Sequence, residues 1–163
     1  MSSTALFQQL EALFQQQLGI AEELNTILQN ENQALIKRDH QQIQQLSRLK
    51  ETKTAEIEAL SQKQAEILNK FKLPYSAEAL DKLINTMPNE YSSAISQLKH
   101  KLEALLESCQ QQNIINGQII AVNRQTAETA LAILRGQVSP DGLTYGSAGQ
   151  AISEQSSNSI SKA

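Results

Sequence analysis

The residues able to do chemistry are few and scattered along the 163-residue chain. A metal site needs imidazoles, thiolates or carboxylates gathered at ligand spacing. The two histidines, His40 and His100, each lack a second imidazole or thiol at such a spacing. Cys109 is the single cysteine, which rules out an internal disulfide. It falls on an apolar helical stripe, where a thiol is shielded and inert, whereas a nucleophile needs surroundings that favour the thiolate. Glu22-Glu23, Glu56 and Glu58 come nearest to paired carboxylates for acid–base work, but they sit on polar helix faces with nothing to form a pocket around them. Lys99-His100-Lys101 reads as a surface charge run. No glycine-rich phosphate loop, nucleophile elbow or HExxH pattern occurs. The chain therefore reads as a protein with no catalytic site, no metal and no cofactor.

What remains is surface, and composition says what kind of element carries it. Hydrophobic residues make up 40% and aromatic residues 4%, with six glycines, three prolines and no tryptophan. Abundant Leu, Ala, Gln, Glu and Lys with so little Gly and Pro point to helices. The length suits one domain. A formal net charge of −3 argues against nucleic acid, whose phosphates require a concentrated positive field. The N-terminus, Met1-Ser2-Ser3-Thr4-Ala5-Leu6, lacks the basic segment and apolar core of a secretory signal, and no run of 18 apolar residues exists to span a membrane. Both point to a cytoplasmic protein.

The dominant element is the proline-free run from Asn89 to Arg135, ended by Gly136. Tyr91, Ile95, Leu98, Leu102, Leu105 and Cys109 recur at three- and four-residue steps, the signature of a long amphipathic helix. Past Gln112 the pattern doubles. Ile115, Ile119, Val122, Thr126 and Ile133 continue the stripe, while Ile120, Ala127, Leu131 and Leu134 form a second one roughly a fifth of a turn or more around the cylinder. Either the chain's own helices bury both stripes, or the surplus is held for another protein. On the second reading the binding face centres on Ile115, Ile119, Ile120, Val122, Ala127, Leu131 and Leu134.

The remaining elements must position that helix. Leu6, Leu10, Leu13, Gln17, Ile20, Leu24, Ile27, Glu31 and Ala34 alternate at three and four residues, with Phe14, Ala21, Leu28 and Leu35 widening the stripe, and predict a helix over about 3–38 with two neighbours. Asp39 is a natural cap for a second helix, about 39–71, whose apolar face is Ile43, Leu46, Ile57, Leu60, Ile67 and Phe71. Lys50, Lys53 and Gln64 interrupt that face; the lysines are expected to lay their stems on the seam and keep their ammonium groups in water. Two such helices with a tight reversal between them form an antiparallel hairpin. Pro74 ends the second helix, and Ser76-Ala77-Glu78-Ala79 opens a short third one, about 77–87, across the end of the hairpin. The last helix, about 89–135, then runs back along it. The fold class is thus all-α, a coiled-coil-like bundle over 1–136. From Ser139 to Ala163 there are seven serines and few apolar residues, so 137–163 reads as a flexible tail. Within it lies Leu143-Thr144-Tyr145-Gly146. Tyr145 can enter a partner's pocket or pack back on the last helix.

These residues resemble those of the FlgN-type flagellar export chaperones. The likeness lies in Glu31-x-x-Ala34-Leu35 followed by Asp39, then Leu46, Lys50-Glu51, Lys53, Ile57 and Leu60. It continues in Asn113-x-x-Asn116-Gly117 with Ile119-Ile120, and in Thr144-Tyr145-Gly146-x-x-Gly149. It covers nearly the whole chain in order, leaving the serine-rich extension after Gly149 unexplained. The resemblance implies a small cytoplasmic chaperone that binds the C-terminal part of the hook–filament junction proteins FlgK and FlgL, prevents their premature assembly and delivers them to the flagellar type III export apparatus. It implies that the last helix carries the client site and that Tyr145 contacts the cytoplasmic domain of the export gate, FlhA. The competing reading is a structural coiled-coil or scaffold protein that pairs with itself through the last helix.

Overall fold

A computed structural model describes residues 3–136 and the backbone of 143–145 and 151–153. The fold is all-α, with four helices among the described residues: α1 (Ser3–Lys37), α2 (His40–Lys70), α3 (Ala77–Thr86) and α4 (Asn89–Leu134). Packing divides the chain into two compact units, residues 1–119 and 120–163.

In the first unit the hairpin closes through Arg38 and Asp39 alone. Arg38 takes a left-handed conformation with φ 56°, so its amide donates to the Leu35 carbonyl at 3.2 Å and the Asp39 amide to the Ala34 carbonyl at 3.0 Å. These two bonds satisfy carbonyls that a helix end leaves orphaned. Asp39 then starts α2 by accepting from the Gln42 amide at 3.1 Å. The same left-handed exit recurs at Lys72, φ 58°, and Ser76 caps α3 by accepting from the Ala79 amide at 3.1 Å. The capping residues anticipated from sequence hold both starts.

Three columns of α1 are buried at seven-residue spacing, which is why this helix has two neighbours. Ile27 and Ala34 pack with Leu46 of α2, while Leu24 and Leu28 pack with Cys109 of α4. The larger cluster joins Leu6, Phe7, Leu10, Leu13 and Phe14 to Leu60, Ile67 and Leu68, to Leu83, Ile84 and Met87 of α3 and its end, and to Ile95 and Leu102 of α4. Phe7 is its hub: its ring stacks on Phe71 at 5.8 Å and meets Tyr91 at 6.0 Å. Cys109 Sγ lies 3.7 Å from the Ala21 carbonyl and Asn116 Nδ2 2.9 Å from the Leu28 carbonyl. Seven residues onward in α1 correspond to seven residues onward in α4, so the two helices run parallel and in step.

Two polar layers cross this core. In one, Gln64 Nε2 donates to Gln17 Oε1 at 2.7 Å and Gln17 Nε2 to Ser61 Oγ at 3.2 Å. In the other, Lys50 Nζ donates to Glu31 Oε1 at 2.8 Å. The residues that break the apolar seam of α1, Gln17 and Glu31, thus meet those that break the seam of α2, Gln64 and Lys50. The spacing is fourteen residues on each helix. A hairpin slipped by one heptad would keep Leu on Leu but set each polar group against an apolar one, at a cost of about 1 to 3 kcal/mol per stranded group.

The second unit holds the end of α4 and a two-stranded antiparallel ribbon. Among the described residues from Ile120 to Leu134 none is buried. Gly136, with φ 68°, ends the helix, its amide donating to the Ile133 carbonyl at 3.0 Å. The ribbon pairs β1 (Leu143–Tyr145) with β2 (Ala151–Ser153), Tyr145 opposite Ala151. The flexible tail expected from sequence over 137–163 falls, apart from these two three-residue strands, on residues outside those described.

Candidate functional site

Several of the groups that could have done chemistry are bound up in structure, while His40 and His100 stand exposed. Among the described residues no His, Cys, Asp and Glu cluster could hold a metal ion. Burial pushes the Cys109 thiol above its ordinary range, which keeps it protonated and unreactive. The carboxylates expected to be free solvated charge are partly engaged: Glu23 and Glu56 flank Lys53 Nζ at 2.6 and 3.1 Å. Lys99 is no plain surface charge either. It is largely buried and bridges Asp81 of α3 at 2.7 Å and Glu103 of α4 at 3.2 Å, while His100 is exposed. In the first unit, an open cleft of about 350 Å³ lies between Phe14, Leu68, Tyr75, Leu80 and Leu106, and its only charged lining groups, Lys99 and Glu103, neutralise each other.

Lys50 and Lys53 also correct an expectation. Their ammonium groups do not rise into water along the seam but cross to α1, Lys50 to Glu31 and Lys53 to Glu23. The carboxylate of Glu31 is buried, and a buried charge needs a partner and further hydrogen bonds to be tolerated. It has both: Lys50 on one oxygen and Asn116 Nδ2, at 2.8 Å, on the other. Lys50 donates in addition to Asn113 Oδ1 at 3.3 Å.

On α4 the structure sorts the apolar positions. The buried column is Ile95, Leu102, Cys109 and Asn116, each seven residues after the last. Ile115, anticipated as the seam's continuation, is instead 46% exposed, while its neighbour Asn116 is 1% exposed. Val122 and Thr126, placed on the same continuation, are exposed as well, and Ile119 and Ile133 are half-buried. Of the residues named for a binding face, Ile115 in the first unit and Ile120, Val122, Ala127, Leu131 and Leu134 in the second are exposed, Leu134 at 82%. Ile114, also exposed, was missed because it stands off both stripes. Three isoleucines within seven residues, Ile114, Ile115 and Ile120, are left to solvent. That is surface a folded helix normally covers. Tyr145 lies on β1 by its backbone, and its side chain is outside the described residues.

An all-α bundle built on a helical hairpin, with a long last helix that leaves apolar side chains uncovered, is the class of helical protein that these elements define. The chain belongs to the FlgN family: the family model described as FlgN protein matches residues 1–152. A solved structure of a flagella synthesis protein FlgN from Pseudomonas aeruginosa is similar to it, with 29% identity and a TM-score of 0.61 over 82% of this chain and 98% of that one. No curated protein sequence matches the chain. Among the described residues no helix is long and apolar enough to cross a membrane.

Proposed function

We propose that this protein acts in flagellum assembly as a cytoplasmic export chaperone. It binds the C-terminal helical region of FlgK and FlgL, prevents their premature assembly and delivers them to the export gate through FlhA. Membership of the FlgN family and a structural relative named for flagella synthesis support the flagellar role. The observation that carries the chaperone reading is the uncovered apolar side chains of α4, Ile120, Leu131 and Leu134 on one side of the helix and Ile115 and Val122 on another. Covering a Val, Leu or Ile side chain fully is worth about 1.5 to 3 kcal/mol, so these side chains supply part of a binding energy that the client's remaining contacts complete against the cost of association. An amphipathic helix of a client whose own bundle has not formed can supply that cover. The chemistry needs neither nucleotide nor covalent step.

The experiment is calorimetric titration of purified FlgK and FlgL C-terminal segments. The double variant Ile120→Asp/Leu131→Asp should weaken binding by more than tenfold with an unchanged circular dichroism spectrum, because the charge is costly only once the partner excludes water. Full-strength binding by that variant refutes the face. Unfolding shows that the positions belong to a core. Tyr145→Ala should leave client affinity intact and weaken association with the cytoplasmic domain of FlhA. Light scattering of the protein alone tests the competing reading, in which the same face pairs two copies of α4: a stable dimer that the double variant dissolves would support a scaffold.

A further inference from the structure

α1 and α2 run close together along their length, and no other pair of helices among the described residues does so. Between α2 and α4 an open groove remains, floored by α1. The cleft of about 350 Å³ beside Tyr75 is one stretch of it, and a second cleft of about 460 Å³, over Leu24 and Leu28, is the other. Leu106 lines both, so the two are continuous. The α2 wall runs from Lys50 to Leu68, about 27 Å, which is the length of an 18-residue helix. Ile57 and Leu106 stand half-buried on the walls, and Tyr75 is 59% exposed at the mouth, an aromatic placed where a partner could close over it.

Two polar features restrict what can fill the groove. Gln64 is 5% exposed; its Nε2 donates to Gln17, but its Oε1 accepts from no group among the described residues. Every fully buried polar side-chain atom among them has a partner, so that oxygen faces the cleft. A helix that expels water from the cleft must bring a donor or leave a buried acceptor unsatisfied. On the rim of the second cleft, Glu51 and Glu58 lie two turns apart on one face of α2. Both are exposed and neither forms an ion pair among the described residues, whereas Lys50 beside them is committed to Glu31. A second copy of this chain matches that negative rim poorly. Its uncovered apolar stretch, residues 114–134, carries one cation, Arg124, which is already paired with Glu128 at 3.5 Å. We infer that the α2–α4 groove is a second docking site, separate from the exposed side chains at the end of α4, and that it takes a basic amphipathic helix of a partner protein. The apolar stripe of that helix lies over α1, an Asn, Gln, Ser or Thr donates to Gln64 Oε1, and two lysines or arginines seven residues apart stand over Glu51 and Glu58. The stripe supplies contact area, while the donor and the cations discriminate among helices.

The probe is a fluorescent 18-residue synthetic peptide with leucines at three- and four-residue steps, one asparagine within that stripe and two lysines seven residues apart on one flank. Its counterpart carries glutamates in place of the lysines. By fluorescence anisotropy with the full chain at low ionic strength, the lysine peptide should bind at least tenfold more tightly than the glutamate peptide. Glu51→Lys/Glu58→Lys should reverse that preference with an unchanged circular dichroism spectrum, since both side chains are exposed and unpaired. Ile120→Asp/Leu131→Asp should leave the peptide's affinity unchanged, which separates the groove from the end of α4. No binding by either peptide, equal binding of the two, or a preference that charge reversal leaves in place overturns the inference. So does loss of binding in Ile120→Asp/Leu131→Asp, which would put the peptide on the end of α4. Sedimentation of the chain alone covers the remaining occupant: self-association that Glu51→Lys/Glu58→Lys alters would seat a second copy in the groove and rule out the partner helix.

Discussion

Asn116 and Ile115 show what single residues decide in this chain. The period from Ile95, Leu102 and Cys109 leads seven residues on to Asn116, and Ile115 reads as the continuation because it is apolar. What its own residue type does not signal is that Asn116 will be inside. The signal is distributed: a glutamate on the seam of α1 and a lysine on the face of α2 announce a buried charge pair, and such a pair needs another polar group, here from α4. Read jointly, Glu31, Lys50 and Asn116 would have identified the layer; read singly, each is a blemish in a heptad. Where the seam is wholly apolar, single residues behave as the sequence suggests. Ile95 is fully buried in the main apolar cluster, so Ile95→Ala should cost about 2 to 4 kcal/mol through lost transfer energy and a cavity. Thermal or urea unfolding measures it, and a cost below 1 kcal/mol would mean that the site collapses around the vacancy.

At the scale of elements, caps and breakers were the most readable part of the sequence. Asp39 and Ser76 start their helices as a short polar side chain should, and Pro74 and Gly136 stand just beyond helix ends. The left-handed exits at Arg38 and Lys72 were not readable, since those residues carry no glycine to announce them. The charged run around Lys99 was read as surface because its partner, Asp81, lies on α3, and sequence does not say which side of α4 that short helix meets. This contact gives a pH test of the α3–α4 junction. The hydrogen bond to Asp81, then that to Glu103, holds the Lys99 ammonium above its ordinary value of 10.5 against the opposing effect of burial. A folded value raised above the unfolded one stabilises fully below the ordinary lysine range and is lost as pH climbs through the folded value. The stability gap between wild type and Lys99→Gln, about 0.5 to 1 kcal/mol near neutrality, should therefore persist to about pH 10 and shrink above it. A gap unchanged at higher pH would assign the effect to packing of the lysine stem.

For the whole molecule, the all-α class followed from composition and the hairpin from two long seams joined at Asp39, because both depend on patterns within one helix or its nearest neighbour. The parallel pairing of α1 with α4 was not legible to the residue, since it is fixed by contacts as far apart as Ala21 and Cys109. That separation has a consequence for synthesis. The hairpin contacts are made as soon as α2 is complete, but the column Phe7, Phe14, Ala21 and Leu28 is covered by α4, which is translated last. At ordinary elongation rates of about 5 to 20 residues per second, residues 21 and 109 emerge several seconds apart, on the order of ten. During that interval the nascent hairpin lacks the cover that α4 gives this column, and Phe7 keeps its stack on Phe71 without Tyr91. A fragment ending at Leu73 should therefore be helical yet bind a hydrophobic dye and associate as its concentration rises, whereas residues 1–136 should do neither through this column. Dye fluorescence and sedimentation of the two lengths compare them directly. Pausing of the ribosome between α3 and α4 would lengthen the exposure, and a pause before α2 would not.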